Sequence, residues 1–218
     1  MNCPPYIPLS SIFLPNDKYY AARELYFYPM EEFIAYLLLF GNLNQQQIEF
    51  IKNKGSERAL FKDEFYWEAG RTVQHIGFLI DGVLRVYYYN NKGEEITRYF
   101  IDENHLILSG NTIDEIYRPS EYLSAVTDCK LVIFPKQDWK TISETIVGWD
   151  QMIQKIVAKY HSEKVSRRSE LVTQSGLERY RDFMEKFPTL VNRVPLSFIA
   201  SYLGLTPSSL SRIRKNIR

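Results

Sequence analysis

Two cysteines, three histidines and a formal net charge of +1 are thin resources for a 218-residue chain, and each shortage excludes something. Cys3 and Cys129 are too few for a disulfide scaffold and cannot supply the four thiolates of an iron–sulfur cluster. A reducing cytoplasm is the location they imply. His75, His105 and His161 stand singly, without the close spacing of metal ligands, so no metal and no cofactor is expected. A barrel enzyme built on metal catalysis would need two or three histidines and a carboxylate converging on one face. The strand-like region holds only His75 and His105, so no catalytic residue is assigned and an enzyme is not expected. The apolar run from Phe33 to Phe40 is too short to span a bilayer, and no basic segment leads an apolar stretch at the N-terminus. Neither a membrane nor a signal peptide is expected.

What is present is an ordinary globular composition, 45% hydrophobic and 24% charged, long enough for one medium and one small domain. The charge is unevenly placed. No acidic residue follows Glu185, whereas Arg193, Arg212, Arg214, Lys215 and Arg218 do. A neutral body with a basic end fits a sensing domain joined to a nucleic-acid reader.

Residues 1–29 are rich in Pro and Tyr without a clear period, and read either as an upstream over-extension before a start at Met30 or as an arm. Glu31 to Lys54 is amphipathic, with Phe33, Leu37, Phe40, Leu43, Ile48 and Ile51 apolar. From Ala59 to Phe134 short apolar runs alternate with turn signals such as Asp81-Gly82 and Asn90-Asn91-Lys92-Gly93, the pattern of a jelly roll. After Pro135 the pattern turns helical. Ile142, Ile146, Trp149, Ile153, Ile156 and Tyr160 recur at steps of four and three, with a break expected at Gly148. Trp149, Ile153, Ile156 and Tyr160 suit a dimer seam, although a core-facing stripe would have the same rhythm. A further helix is expected from Gly176 to Phe187, before Pro188.

The stretch Val194 to Arg214 reads as a helix-turn-helix. Ile199, Ala200 and Leu203 form the buried side of a first helix, and Ala200 is small where two helices cross at about 90–120°. Gly204 supplies the left-handed turn, Thr206 the N-cap and Pro207 the first helical position of a second helix. Leu210 and Ile213 then face inward. Thr206, Pro207, Ser208, Ser209, Ser211, Arg212, Arg214 and Lys215 are the candidate DNA-contacting residues, because short hydroxyls approach phosphates closely and an arginine can bridge guanine O6 and N7.

With these residues in place, 30–218 resembles the Crp/Fnr family of regulators. The resemblance rests on Gly70 with Phe78-Leu79-Ile80-Asp81-Gly82-Val83-Leu84-Arg85-Val86, on Ser162-Glu163-Lys164-Val165, and most closely on Ile199-Ala200, Gly204 and Leu210-Ser211-Arg212-Ile213. The ending S-L-S-R-I-R is similar to the branch common in Bacteroidetes. It implies an α+β architecture: a cyclic-nucleotide-binding-like jelly roll at 30–137, dimerisation helices at 138–168 and a helix-turn-helix domain at 169–218. It also implies a homodimer reading a palindrome in double-stranded DNA, with RNA polymerase and a small-molecule effector as further partners. In the family three side chains of the recognition helix meet bases; carried over, they are Pro207, Ser208 and Arg212, of which Arg212 alone keeps the usual basic character.

Family members that bind cyclic nucleotides use a Gly-Glu pair and an Arg-Ser pair. The matching stretches here read Leu108-Ser109-Gly110-Asn111 and Arg118-Pro119-Ser120-Glu121, lacking the glutamate and with proline at the arginine position. Binding of cAMP by that geometry is not expected. Ser109, Gly110, Asn111, Arg118, Ser120, Tyr99, Tyr122, His161 and Ser162 remain as candidate walls for another effector. A ligand-sensing adaptor that does not bind DNA is the alternative, and it leaves the basic terminal helix unexplained.

Overall fold

A computed structural model describes residues 29–108, 118–168 and 174–217, without the side chains of 163–168. The lead-in up to residue 28 lies outside the described residues. Periodicity predicts one amphipathic segment from Glu31 to Lys54, but the chain forms two helices, α1 (Pro29–Leu38) and α2 (Gln45–Lys52). The reason is a capping box. The Asn44 side chain accepts from the Gln47 backbone N–H and the Gln47 side chain accepts from the Asn44 N–H, both at 2.9 Å, which starts a new helix.

Among the described residues eight strands follow: β1 (Ser56–Leu60), β2 (Phe65–Trp67), β3 (His75–Asp81), β4 (Leu84–Tyr89), β5 (Glu95–Ile101), β6 (His105–Ile107), β7 (Tyr122–Ala125) and β8 (Cys129–Pro135). They pair antiparallel in two four-stranded sheets, ordered β1-β8-β3-β6 and β2-β7-β4-β5. Neighbours in each sheet are mostly distant in sequence, as a jelly roll requires. Leu60, Tyr66, Leu79, Leu84, Val86, Ile107, Leu123 and Leu131 fill the space between the sheets.

Within the first sheet, β3 is buried on both faces, which explains why it reads as a nearly unbroken apolar run. Its outward residues Ile76, Phe78 and Ile80 meet α1, α3 (Lys136–Thr145) and α4 (Trp149–Arg168) in one apolar cluster. The expected break near Gly148 separates α3 from α4. The stripe Ile142, Ile146, Trp149 and Ile156 belongs to this cluster, with exposures of 0%, 3%, 1% and 0%. Trp149 and Ile156, expected on either a dimer seam or a core-facing stripe, are enclosed here by their own roll. Ile153 and Tyr160 are half-buried against the same cluster. The Tyr160 hydroxyl accepts from the Leu106 N–H at 3.0 Å and lies 2.8 Å from the Tyr36 hydroxyl, tying α4 to β6 and α1.

The C-terminal part contains α5 (Gly176–Lys186), α6 (Leu196–Tyr202) and α7 (Pro207–Ile217). Tyr180, Phe183, Phe187, Leu190, Val194, Ile199, Ala200, Leu203 and Leu210 form its core, which extends to Val83, Phe100 and Val126 of the roll. Among the described residues, no helix is long and apolar enough to cross a membrane.

Candidate nucleic-acid interface

The turn between α6 and α7 is built as its residue types suggest. Ala200 is fully buried, and its carbonyl accepts the Leu205 N–H at 2.8 Å. Gly204 holds φ at +66°, a left-handed conformation in which a side chain would be strained. Arg179 of α5 donates to the Leu203 carbonyl and so closes the end of α6. Thr206 Oγ1 accepts the Ser209 N–H at 3.2 Å, the N-cap bond, and Pro207 is the first residue of α7. Leu210 is wholly buried beneath the helix, with Ile213 half-buried beside it.

What α7 leaves outside is short and basic. Thr206, Pro207, Ser208, Arg212 and Lys215 are exposed, and Ser209 and Ser211 are half-buried. Ser208, Arg212 and Lys215 follow at i, i+4 and i+7, so they share one face. Neither Arg212 nor Lys215 has an ion-pair partner among the described residues, leaving both cations available. Arg214 differs: it turns back to within 3.4 Å of the Asn192 side-chain oxygen, so it stands beside the free face.

The other side of the domain rests on the second sheet. Ser201 of α6 accepts the Thr97 N–H at 2.9 Å and donates to the Glu95 carbonyl at 3.0 Å, which satisfies part of the open edge of β5. Arg85 of β4 is only 2% exposed. It donates to Thr97 Oγ1 at 2.8 Å and to Glu95 at 2.6 Å, and its guanidinium lies 3.8 Å from the ring centre of Phe198. Phe100 meets Phe183 and Tyr202. Arg193 pairs with Glu103 at 2.6 Å, and Glu103 also accepts the Gly82 N–H at 3.0 Å. Burial pushes the Glu103 carboxyl up, but Arg193 and the backbone N–H groups outweigh it and hold the group below its ordinary value. Sequence reading missed this contact. The one signal was Arg85, a charged residue inside an otherwise apolar strand.

The candidate effector walls do not converge. Ser109, Gly110 and Asn111 lie outside the described residues. Arg118, Ser120, His161 and Ser162 are exposed. Tyr99 packs toward the inter-sheet core, whereas Tyr122 stacks on Tyr87 on the opposite face of the same sheet. Those two tyrosines cannot line one pocket. Among the described residues, no group of three His, Cys, Asp or Glu could hold a metal ion. Cys129 is buried, and burial pushes its thiol up to about 11, so it stays protonated at neutral pH.

The jelly roll, the long α4 and the terminal helix-turn-helix together make the fold of the Crp/Fnr-type transcription regulators. No family model matches the sequence, and no curated protein matches it. Solved structures do. A transcriptional regulator assigned to the Crp/Fnr family from Eubacterium rectale superposes with a TM-score of 0.66 at 19% identity, over 84% of this chain and 87% of that one. FixK2 from Bradyrhizobium japonicum gives 0.64 at 16% identity, over 75% and 84%. The c-di-GMP-responsive global regulator CLP from Xanthomonas campestris gives 0.64 at 13% identity, over 80% and 91%. At these identities the likeness is one of fold.

Proposed function

We propose that the chain is a sequence-specific transcription regulator that binds double-stranded DNA through α7. The observation that carries this reading is the free face of Ser208, Arg212 and Lys215, unopposed by any carboxylate among the described residues, on a helix whose other side is anchored by the buried Leu210. An exposed helix of this kind fits a major groove, where arginine reads guanine and the serines and lysine take phosphates. The protein acts as a homodimer, presenting two such helices about 34–36 Å apart to a palindrome. Because Trp149 and Ile156 are used inside the chain, contact along α4 falls to its opposite side, where Gln154, Ala158 and His161 are exposed at steps of four and three. An effector of a class other than cyclic nucleotides governs it, and RNA polymerase is its downstream partner in the cytoplasm.

Footprinting of genomic fragments with the purified protein, with and without cell extract, tests the reading, and absence of any enriched palindrome would count against it. In gel shifts on the recovered site, Arg212→Ala is expected to lose about 1–3 kcal/mol and to relax specificity at one base pair. Full affinity with unchanged preference would remove Arg212 from the readout.

A further inference from the structure

We propose that the mouth of the roll between β1, β2 and the start of β3 is a binding site for a small carboxylate with a flat, apolar body. A cavity of ≈ 230 Å³ opens there, lined among others by Arg58, Phe65, Tyr66, Trp67, Arg71 and His75. At roughly 30 Å³ per water-sized group it holds about eight such groups, the bulk of one aromatic ring bearing one carboxylate.

The charges in the cavity are unbalanced. Arg58 alternates with Leu60 on the inward face of β1, and its guanidinium lies 5.7 Å from the ring centre of Tyr66. It is half-buried and has no carboxylate within ion-pair distance among the described residues. The one acidic group of the lining, Glu68, is taken by Arg71 at 3.2 Å. A half-buried guanidinium without a counterion is held at a cost that an incoming carboxylate removes, and the bond formed is charge-assisted and fork-shaped.

A second donor points the same way. Tyr66 is 9% exposed, and among the described residues its hydroxyl reaches only the His75 carbonyl at 3.5 Å, the limit of a hydrogen bond. Burial raises this phenol far above its ordinary value, so it remains a donor. The hydroxyl lies against β3 because residue 77 is glycine: a Cβ there would stand 2.6 Å from it. His75 is lowered by burial and by Arg58, which keeps it neutral at pH 7. Trp67 supplies an apolar wall and is fixed by its N–H bond to the Glu121 carbonyl at 3.0 Å. Tyr99, His161 and Ser162 do not line this cavity, and the site stands whether or not α7 reads DNA.

Titration calorimetry on the full chain with benzoate, benzamide and inorganic phosphate tests the site. Benzoate should bind saturably at one site, benzamide at least about tenfold more weakly, and phosphate without displacing benzoate. Arg58→Gln should weaken benzoate at least about tenfold, and Tyr66→Phe about threefold. Arg58 makes no ion pair among the described residues, so its variant should keep the wild-type melting profile; if it fails to fold, the benzoate–benzamide comparison on the wild type still decides. No saturable benzoate binding, equal affinity for benzamide, or full displacement by phosphate would each overturn the proposal.

Discussion

The two sheets of the roll turn outward to different surroundings. The first sheet is sealed by α1, α3 and α4 through Phe33, Phe78, Phe134, Trp139, Trp149 and Ile156, with apolar side chains on both sides of the contact. The second is covered only in part. The helix-turn-helix domain sits over Phe100, Thr97 and Arg85, while Phe65, Tyr87, Tyr89 and Tyr122 continue beyond it as a cluster with Phe65 and Tyr89 exposed. Beside the apolar contact of Val83, Phe100 and Val126, its ties are a guanidinium, a serine hydroxyl and one salt bridge. A contact that is mainly apolar, with the Tyr160 hydroxyl as its polar tie, joins the cooperative unit of the roll, because little on either side is better solvated apart. A contact with charged and polar ties resembles an interface between domains, which water can replace piece by piece. The comparison assigns the first contact to stability and the second to the placement of the reading helix.

The largest effect should come from the sealed side. Trp149→Ala is expected to destabilise the chain by about 3–5 kcal/mol, since it empties a site enclosed by Trp139 and the first sheet. Denaturant melts should show that loss equally at low and high protein concentration. A loss seen only on dilution would return Trp149 to a subunit interface and break the comparison.

On the second sheet the costs should be smaller and confined to the contact. Arg85→Lys keeps the charge but loses the planar stack on Phe198 and one of the two bonds to Thr97 and Glu95, an expected cost of about 1–2 kcal/mol. Ser201→Ala removes the acceptor of the Thr97 N–H and should cost about 1 kcal/mol. Hydrogen exchange of the Thr97 amide separates local from global effects. It should speed up in the Ser201 variant while Ile76 and Phe78 stay protected; matched acceleration would mean that the two contacts open together.

How far the sequence carried these conclusions depends on the range of the forces involved. The helix-turn-helix was legible because Gly204, Thr206 and Pro207 act on their own backbone, within a few residues. The roll was legible from alternation and turn residues for the same reason. The partner of the α4 stripe was not, since a step of four and three states only that one face is apolar, never what covers it. Tyr99 and Tyr122 failed as a pair because a sheet's two faces are separated by register, and the β4–β5 irregularity between Val86 and Tyr87 is invisible in one chain read alone. Arg193 and Glu103 stand ninety positions apart, and no local pattern joins them.

That pair gives the smallest expected effect and the sharpest test of which contact is separable. Glu103 is held below its ordinary value in the folded chain, so its contribution is complete above the usual carboxylate range and is lost as pH falls through the lowered value. Both side chains keep some solvent contact, 17% and 32%, so screening limits the gain. Protection of the Thr97 amide should be flat from neutral pH down to the ordinary carboxylate range, then decline as pH falls through the lowered value of Glu103. Added salt should lower it modestly at neutral pH, since the pair is only partly shielded from ions. Glu103→Gln should show weaker protection at neutral pH and lose the acid-dependent step, while the sealed first sheet keeps its protection throughout. An acid step that survives in the variant would assign the sensitivity to another carboxylate, with Glu95 beside Arg85 the next to substitute.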